Sequence, residues 1–181
     1  MKAVGTVPIR RAMDTGGDPD ARRKGDVAAL DALAQQVAQG RFSCLFPEGT
    51  SHDAPHLLVL KTGAARFWYR ARQLQPAGAP IPAIIPVGLH YKKKRGFRSR
   101  VLVEFHKPLE IPPDLLPLPP EDAELRGRCQ RLTDEIERSL REVVHATADW
   151  ELHHLMHRAR KLVRAERAAR AGVQTDAPDM D

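Results

Sequence analysis

The sequence predicts an α/β fold followed by a pair of α-helices. Three observations predict it. Short apolar segments at 3–9, 42–46, 81–91 and 101–105 read as strands. Segments with apolar residues at steps of three and four fall between and after them and read as helices. A stretch at 107–120 with six prolines separates the strand-bearing part from a purely helical part.

Segment 3–9 is an apolar strip that ends at Arg10 and Arg11. Those arginines are either solvated ends of a strand or a fork for an anion. A Gly/Asp/Pro-rich loop at 15–23 follows. Asp26 then caps a helix over 27–39, with Leu30, Leu33, Ala34 and Val37 on one face and Gly40 as its C-terminal stop. The run 42–46 reads as a buried strand that takes Cys44 inside. It breaks into Pro47-Glu48-Gly49 and a polar loop that reaches His56.

That loop is the densest chemistry in the chain. It carries the Glu48 carboxylate, Gly49, the hydroxyls of Thr50 and Ser51, the imidazoles of His52 and His56, and Asp53. Strand ends of this kind are where α/β proteins bind ligands. Glycine admits close approach of the backbone, and the amides after it form an anion-binding nest. The helix-like segment 57–74 adds Lys61 and Arg66. A phosphate and a hydroxyl-bearing group are the ligands such a loop suits. Adjacent side chains rarely face each other, so His52 and Asp53 are not read as a catalytic pair. His56 reads as a helix-entry residue.

Segment 81–91 contains Pro82 and Pro86, so it belongs at an edge or in a bent strand. The basic stretch 92–100 reads as a hairpin loop leading into strand 101–105. It is either a solvated turn or a contact with anionic lipid or the phosphates of coenzyme A. An amphipathic helix spans 121–144, with Leu125, Cys129, Leu132, Ile136, Leu140 and Val143 in register. A second, capped by Thr147 or Asp149, spans 150–171 and turns Leu152, Leu155, Met156, Ala159, Leu162 and Val163 inward. His153, His154 and His157 lack a carboxylate or thiol partner at metal spacing, so they read as a polar face, and no metal site is expected. Residues 173–181 read as a disordered acidic tail.

Composition bounds the class. A chain of 181 residues fits one domain, or one with an appendage. Its 42% apolar residues suffice for a core, and 29% charged residues suit a water-exposed surface. A net charge of +6 attracts anionic headgroups, nucleic acid or phosphorylated small molecules without choosing among them. The basic residues lack aromatic stacking platforms, which ranks nucleic acid low. Cys44 and Cys129 read as reduced thiols of a cytosolic protein. No apolar run of about 18 residues occurs.

The motifs carry a resemblance. F-P-E-G-T-S-H-D at 46–53 resembles the third conserved block of the glycerophospholipid acyltransferases. G-T-V-P-I-R-R-A-M-D at 5–14 resembles the second block and I-I-P-V-G at 84–88 the fourth. Segment 97–112 is similar to the sequence after that block in the glycerol-3-phosphate/dihydroxyacetone-phosphate branch, as is the S-H-D ending. Four ordered blocks over roughly two thirds of the chain are far more specific than one.

The resemblance implies a central mixed sheet flanked by helices, with a C-terminal helical pair. It divides the chain into a partial acyltransferase domain at 1–112, a proline-rich connector at 113–120, a helical hairpin at 121–171 and a tail at 172–181. It implies transfer of a fatty acyl group from acyl-CoA or acyl-ACP to glycerol 3-phosphate or a related acceptor, with no metal or redox cofactor. It makes Arg11 the phosphate contact, Glu48 a ligand for the glycerol backbone or an organiser of that arginine, and Gly49, Thr50, Ser51 and Lys61 further substrate contacts. It places the protein peripherally on the cytoplasmic face of a membrane, with an anionic surface and no nucleic acid as partner.

One departure bears on mechanism. The family's first block, H-x-x-x-x-D, supplies its catalytic base. None of the eight histidines here has an aspartate five positions later, and His145 and Asp149 are four apart. The chain is therefore expected to be N-terminally incomplete and inactive alone, with no catalytic residue of its own. The alternative is a non-catalytic module that binds a glycerophosphate or lysophospholipid.

Overall fold

The computed structural model describes residues 19–91, 96–119 and 122–172. Within them the chain is mixed α/β. Its described helices are α1 (Pro19–Ala38), α2 (Gly63–Gln73), α3 (Asp122–Val143) and α4 (Trp150–Arg170), with a 3-10 turn at Pro113–Leu115. The sheet among the described residues is one antiparallel pair, β1 (Val87–Tyr91) and β2 (Val101–Phe105), in the register Val87 to Phe105 through Tyr91 to Val101. The hairpin expected around the basic loop is therefore present. Residues 92–95 of that loop, the expected strand 3–9 with Arg10 and Arg11, and the expected tail 173–181 lie outside the described residues.

Helix α1 begins at Pro19, so the last part of the expected loop 15–23 is helical and Asp26 stands within the helix rather than capping it. Proline is favoured at a first helical position, where the missing N–H costs nothing. The helix ends as expected. Gly40 has φ +83°, its amide donates to the Val37 carbonyl, and the Arg41 amide donates to the Gln36 carbonyl. These two bonds close a Schellman motif.

The core is small and lies where α2, α3 and the proline-rich segment meet. Leu60, Ala65, Trp68, Tyr69, Leu115, Cys129, Leu132 and Ile136 form it. Helix α1 packs on α2 with Ala34 and Ala38 buried, and Ala65 and Ala71 of α2 are buried as well. Arg70 and Asp31 pair across these helices at 2.8 Å. Polar atoms in the core find partners, as buried ones must. Tyr69 Oη donates to the Leu115 carbonyl at 2.8 Å, and Trp68 Nε1 donates to the Pro82 carbonyl at 2.8 Å. Arg72 stacks over the Trp68 ring and donates to the Leu116 carbonyl. The proline-rich segment is thus bound into the core through Leu109, Ile111, Leu115 and Leu116. Burial pushes both the Tyr69 hydroxyl and the Cys129 thiol above their ordinary pKa values.

Four expectations are corrected. Segment 42–46 joins no sheet, and Phe42, Cys44 and Phe46 are exposed. A strand needs a neighbour for its backbone, and none lies beside this segment among the described residues. Segment 57–74 is helical only from Gly63. The Lys61 amide donates to the Pro47 carbonyl, which draws 57–61 back along the loop instead of into a helix. Segment 81–91 forms strand pairing only over Val87–Tyr91, although the His106 and Leu109 amides extend the ladder to the carbonyls of Pro86 and Ile84. Helix α4 buries no residue. Leu155, Leu162 and Val163 are exposed, and the half-buried positions are His153, His157 and Arg160 on its polar side and Ala168 near its end. Asp149 is the cap of this helix, accepting from the Leu152 amide at 2.7 Å.

Candidate functional site

The loop at 46–58 is a closed turn built around Glu48. The Gly49 amide donates to the Phe46 carbonyl at 3.0 Å, which folds Pro47-Glu48 over. Glu48 Oε2 then accepts two bonds, from His52 Nε2 at 2.5 Å and from the Leu58 amide at 2.9 Å. One carboxylate oxygen therefore gathers both limbs of the loop. His52 and Glu48 are about four-fifths buried, with side-chain exposures of 23% and 21%.

The hydrogen bonds fix the histidine's tautomer. The Ala54 amide donates to His52 Nδ1 at 3.1 Å, so Nδ1 carries no proton. Nε2 carries it and donates it to Glu48. The single lone pair of the neutral ring is occupied by Ala54. In this arrangement His52 orients a carboxylate and has no nitrogen with which to accept a proton from a substrate.

Gly49 has φ +67°, the left-handed region that glycine enters without cost. It also leaves room for Lys61. A Cβ at Gly49 would stand 2.9 Å from Lys61 Cδ and 3.0 Å from Nζ. The lysine side chain therefore lies flat against the turn and brings its ammonium to the Glu48 loop. Thr50 and Ser51 are exposed beside it.

The structure thus brings Glu48, Gly49, Thr50, Ser51 and Lys61 together and gives each a distinct chemistry. The Gly49 amide is used inside the turn, where it donates to the Phe46 carbonyl. Arg11, the sixth expected contact, lies outside the described residues. His56 stands in a bend before the helix and is exposed.

Two residues were missed from sequence. The usable signal for His52 is its i, i+4 spacing from Glu48. Thr147 lies 92 positions beyond Pro55, yet its amide donates to the Pro55 carbonyl at 2.8 Å and ties the α3–α4 linker to this loop. No local pattern announces such a contact.

Comparisons with known proteins converge on one kind of molecule. The family model described as Acyltransferase matches residues 1–90. Glycerol-3-phosphate O-acyltransferase 1 of Saccharomyces cerevisiae is 34% identical over 155 residues, 85% of this chain and 20% of that protein. An uncharacterized acyltransferase of Schizosaccharomyces pombe is 31% identical over 131 residues, 72% of this chain and 19% of that protein. Glycerol-3-phosphate O-acyltransferase 2 of S. cerevisiae is 40% identical over 67 residues, 37% of this chain and 9% of that protein. The chain spans about a fifth of the length of the first two. No solved structure gives a significant match.

Proposed function

Since this chain belongs to the glycerophospholipid acyltransferase family, we propose that its Glu48 loop binds the glycerol phosphate acceptor of a fatty acyl transfer. The observation that carries this reading is the Glu48–Lys61 arrangement. A carboxylate whose Oε2 is held by His52 and Leu58 still has Oε1 to accept a substrate hydroxyl. The Lys61 ammonium and the exposed Thr50 and Ser51 stand beside it for the phosphate. Arg11, within the second conserved block, adds a bidentate phosphate contact.

The donor is a fatty acyl thioester, acyl-CoA or acyl-ACP. The acceptor hydroxyl oxygen attacks the thioester carbonyl, an ester bond forms, the thioester bond breaks and the thiol leaves with a proton. A general base takes the hydroxyl proton in that step. His52 is not that base, because its Nδ1 accepts from the Ala54 amide and its Nε2 donates to Glu48. None of the eight histidines has an aspartate five positions later, so no base is assigned within these residues, and holding the acceptor in place supplies the part of the rate that proximity gives. No metal or redox group takes part.

The wider setting follows the same reading. The family resemblance implies a larger central sheet flanked by helices than the described β1–β2 pair. No described helix is long and apolar enough to cross a membrane. A net charge of +6 suits a peripheral position on an anionic membrane face.

The test is transfer of a labelled acyl group from acyl-CoA to glycerol 3-phosphate by the isolated chain, beside binding of glycerol 3-phosphate alone. Binding without turnover supports the reading. Robust turnover that Glu48→Ala abolishes overturns the assignment of the base. Binding of lysophospholipid or glycerol 3-phosphate without transfer, in a protein whose natural N-terminus is Met1, marks a binding module instead.

A further inference from the structure

A second cluster of chemistry lies away from the Glu48 loop, where the hairpin meets the end of α3. Gly88 and Glu104 face each other across the ladder, and His90 lies two residues on, so Gly88, His90 and Glu104 share one face of the sheet. That face is pressed onto the last turn of α3. A Cβ at Gly88 would stand 2.7 Å from the Val143 carbonyl oxygen and 2.9 Å from His90 Nε2. Glycine is thus what lets the strand approach the helix end. The chain leaves α3 at Val143, and two residues later His145 swings back over the same face. Its ring centroid is 4.4 Å from that of His90.

The three side chains converge without satisfying one another. His90 Nε2 is buried and makes no hydrogen bond of acceptable geometry, although Glu104 Oε2 stands 3.3 Å away. One ligand atom from each of His90, Glu104 and His145 lies within 4.8 Å of the other two. Buried polar atoms are normally paired, so an orphaned imidazole nitrogen aimed at a carboxylate and a second imidazole needs a reason. The neighbouring His106 also has a buried nitrogen without a partner, Nδ1, but its Nε2 is taken by Glu142 of α3 at 3.0 Å, and no second imidazole and carboxylate converge on it among the described residues.

We propose that His90, Glu104 and His145 bind a divalent transition-metal ion of the zinc type. Two imidazoles and one carboxylate, with a position left for water, are a common zinc donor set. In tetrahedral zinc sites with bonds near 2.0–2.1 Å, ligand atoms stand about 3.3–3.4 Å apart. The His90–Glu104 separation of 3.3 Å already has that value. The remaining atoms, within 4.8 Å, close to it by rotation of the exposed His145 and Glu104 side chains. The donor set also excludes calcium and magnesium, which take oxygen ligands. Arg160 and Arg164 of α4 act electrostatically on His145 and oppose any cation there, so only an ion with strong affinity for imidazole is held.

The ion would fasten the α3–α4 linker to the hairpin. Thr147, two residues beyond His145, is bonded to Pro55, so the fastened linker also braces the Glu48 loop. The proposal does not depend on the acyltransferase reading.

The test is titration of the 181-residue chain with Zn²⁺ by calorimetry, with Co²⁺ as an optical probe. One equivalent of Zn²⁺ is expected to bind, with millimolar Mg²⁺ and Ca²⁺ failing to compete. Co²⁺ is expected to give the intense visible bands of a four- or five-coordinate ion. Glu104→Gln and His145→Asn are each expected to weaken Zn²⁺ at least tenfold. The double variant His153→Gln/His157→Gln, which removes the i, i+4 histidine pair of α4, is expected to leave it within threefold. Absence of one-equivalent binding overturns the proposal. So does weakening of less than tenfold in either ligand variant, or loss of the site in the α4 double variant. Glu104 and His145 are exposed enough to be replaced without unfolding the chain, and circular dichroism of each variant checks this.

Discussion

His52 gives its only ring proton to Glu48, 2.5 Å away, while its other nitrogen accepts from the Ala54 amide. The histidine is therefore a strut for the carboxylate. His52→Ala removes that strut and leaves Oε2 with the Leu58 amide alone. A bond to a partly buried charged group is worth about 1–2 kcal/mol, with solvent screening favouring the lower end. Denaturant unfolding is expected to show a loss of that size, and the exposed neighbour Ser51→Ala a change below about 0.5 kcal/mol.

Gly49→Ala is expected to be destabilising for two separable reasons. The left-handed backbone at φ +67° costs an alanine about 1–2 kcal/mol. The new Cβ also meets Lys61 Cδ at 2.9 Å, but the end of a lysine moves aside cheaply. The double variant Gly49→Ala/Lys61→Ala is therefore expected to recover little of the lost stability. Full recovery would mean that the lysine contact, and not the backbone, dictates glycine here.

Tyr69→Phe leaves the Leu115 carbonyl buried without its donor and is expected to lower stability by about 1–2 kcal/mol. Leu115→Ala empties a fully buried site and is expected to cost about 2–5 kcal/mol. Equilibrium unfolding monitored by the fluorescence of Trp68 and Trp150 measures both. Near-neutral values would mean that the proline-rich segment is not part of the core.

The two thiols are expected to react in two phases. Cys44 is exposed and reacts with a thiol reagent at once. Cys129 is buried, and burial raises its pKa, so the thiolate is scarce near pH 8 and becomes available only as pH rises further or the fold opens. Ellman's reagent should count one fast thiol in the native chain and two in denaturant. Two fast thiols would contradict the burial of α3.

The helix 121–144 was legible because its core face is encoded locally. Leu125, Cys129, Leu132, Ile136, Leu140 and Val143 recur at helical steps, and the structure buries or half-buries each of them. The same rule found the apolar stripe of α4 but could not say what covers it, and in the structure the stripe faces outward while His153, His157, Arg160 and Ala168 are the half-buried positions. Segment 42–46 has the length and apolarity of a strand, yet pairing is a property of distant chain, and no partner stands beside it among the described residues. The loop residues were legible as a set because motif spacing keeps Glu48, Gly49, Thr50 and Ser51 together. The tie from Lys61 back to Pro47 was not, since it depends on how the chain returns after His56. Nor was the meeting of His90, Glu104 and His145, which a strand register and a helix end bring about.

The most direct test of the acceptor-site account is a titration of the isotope-labelled chain with glycerol 3-phosphate, followed by amide chemical shifts. The account predicts saturable shifts at Gly49, Thr50, Ser51 and Lys61, weakened at least tenfold by Glu48→Gln and by Lys61→Ala. Millimolar ligand that moves none of these amides, or binding that both variants leave unchanged, would contradict it.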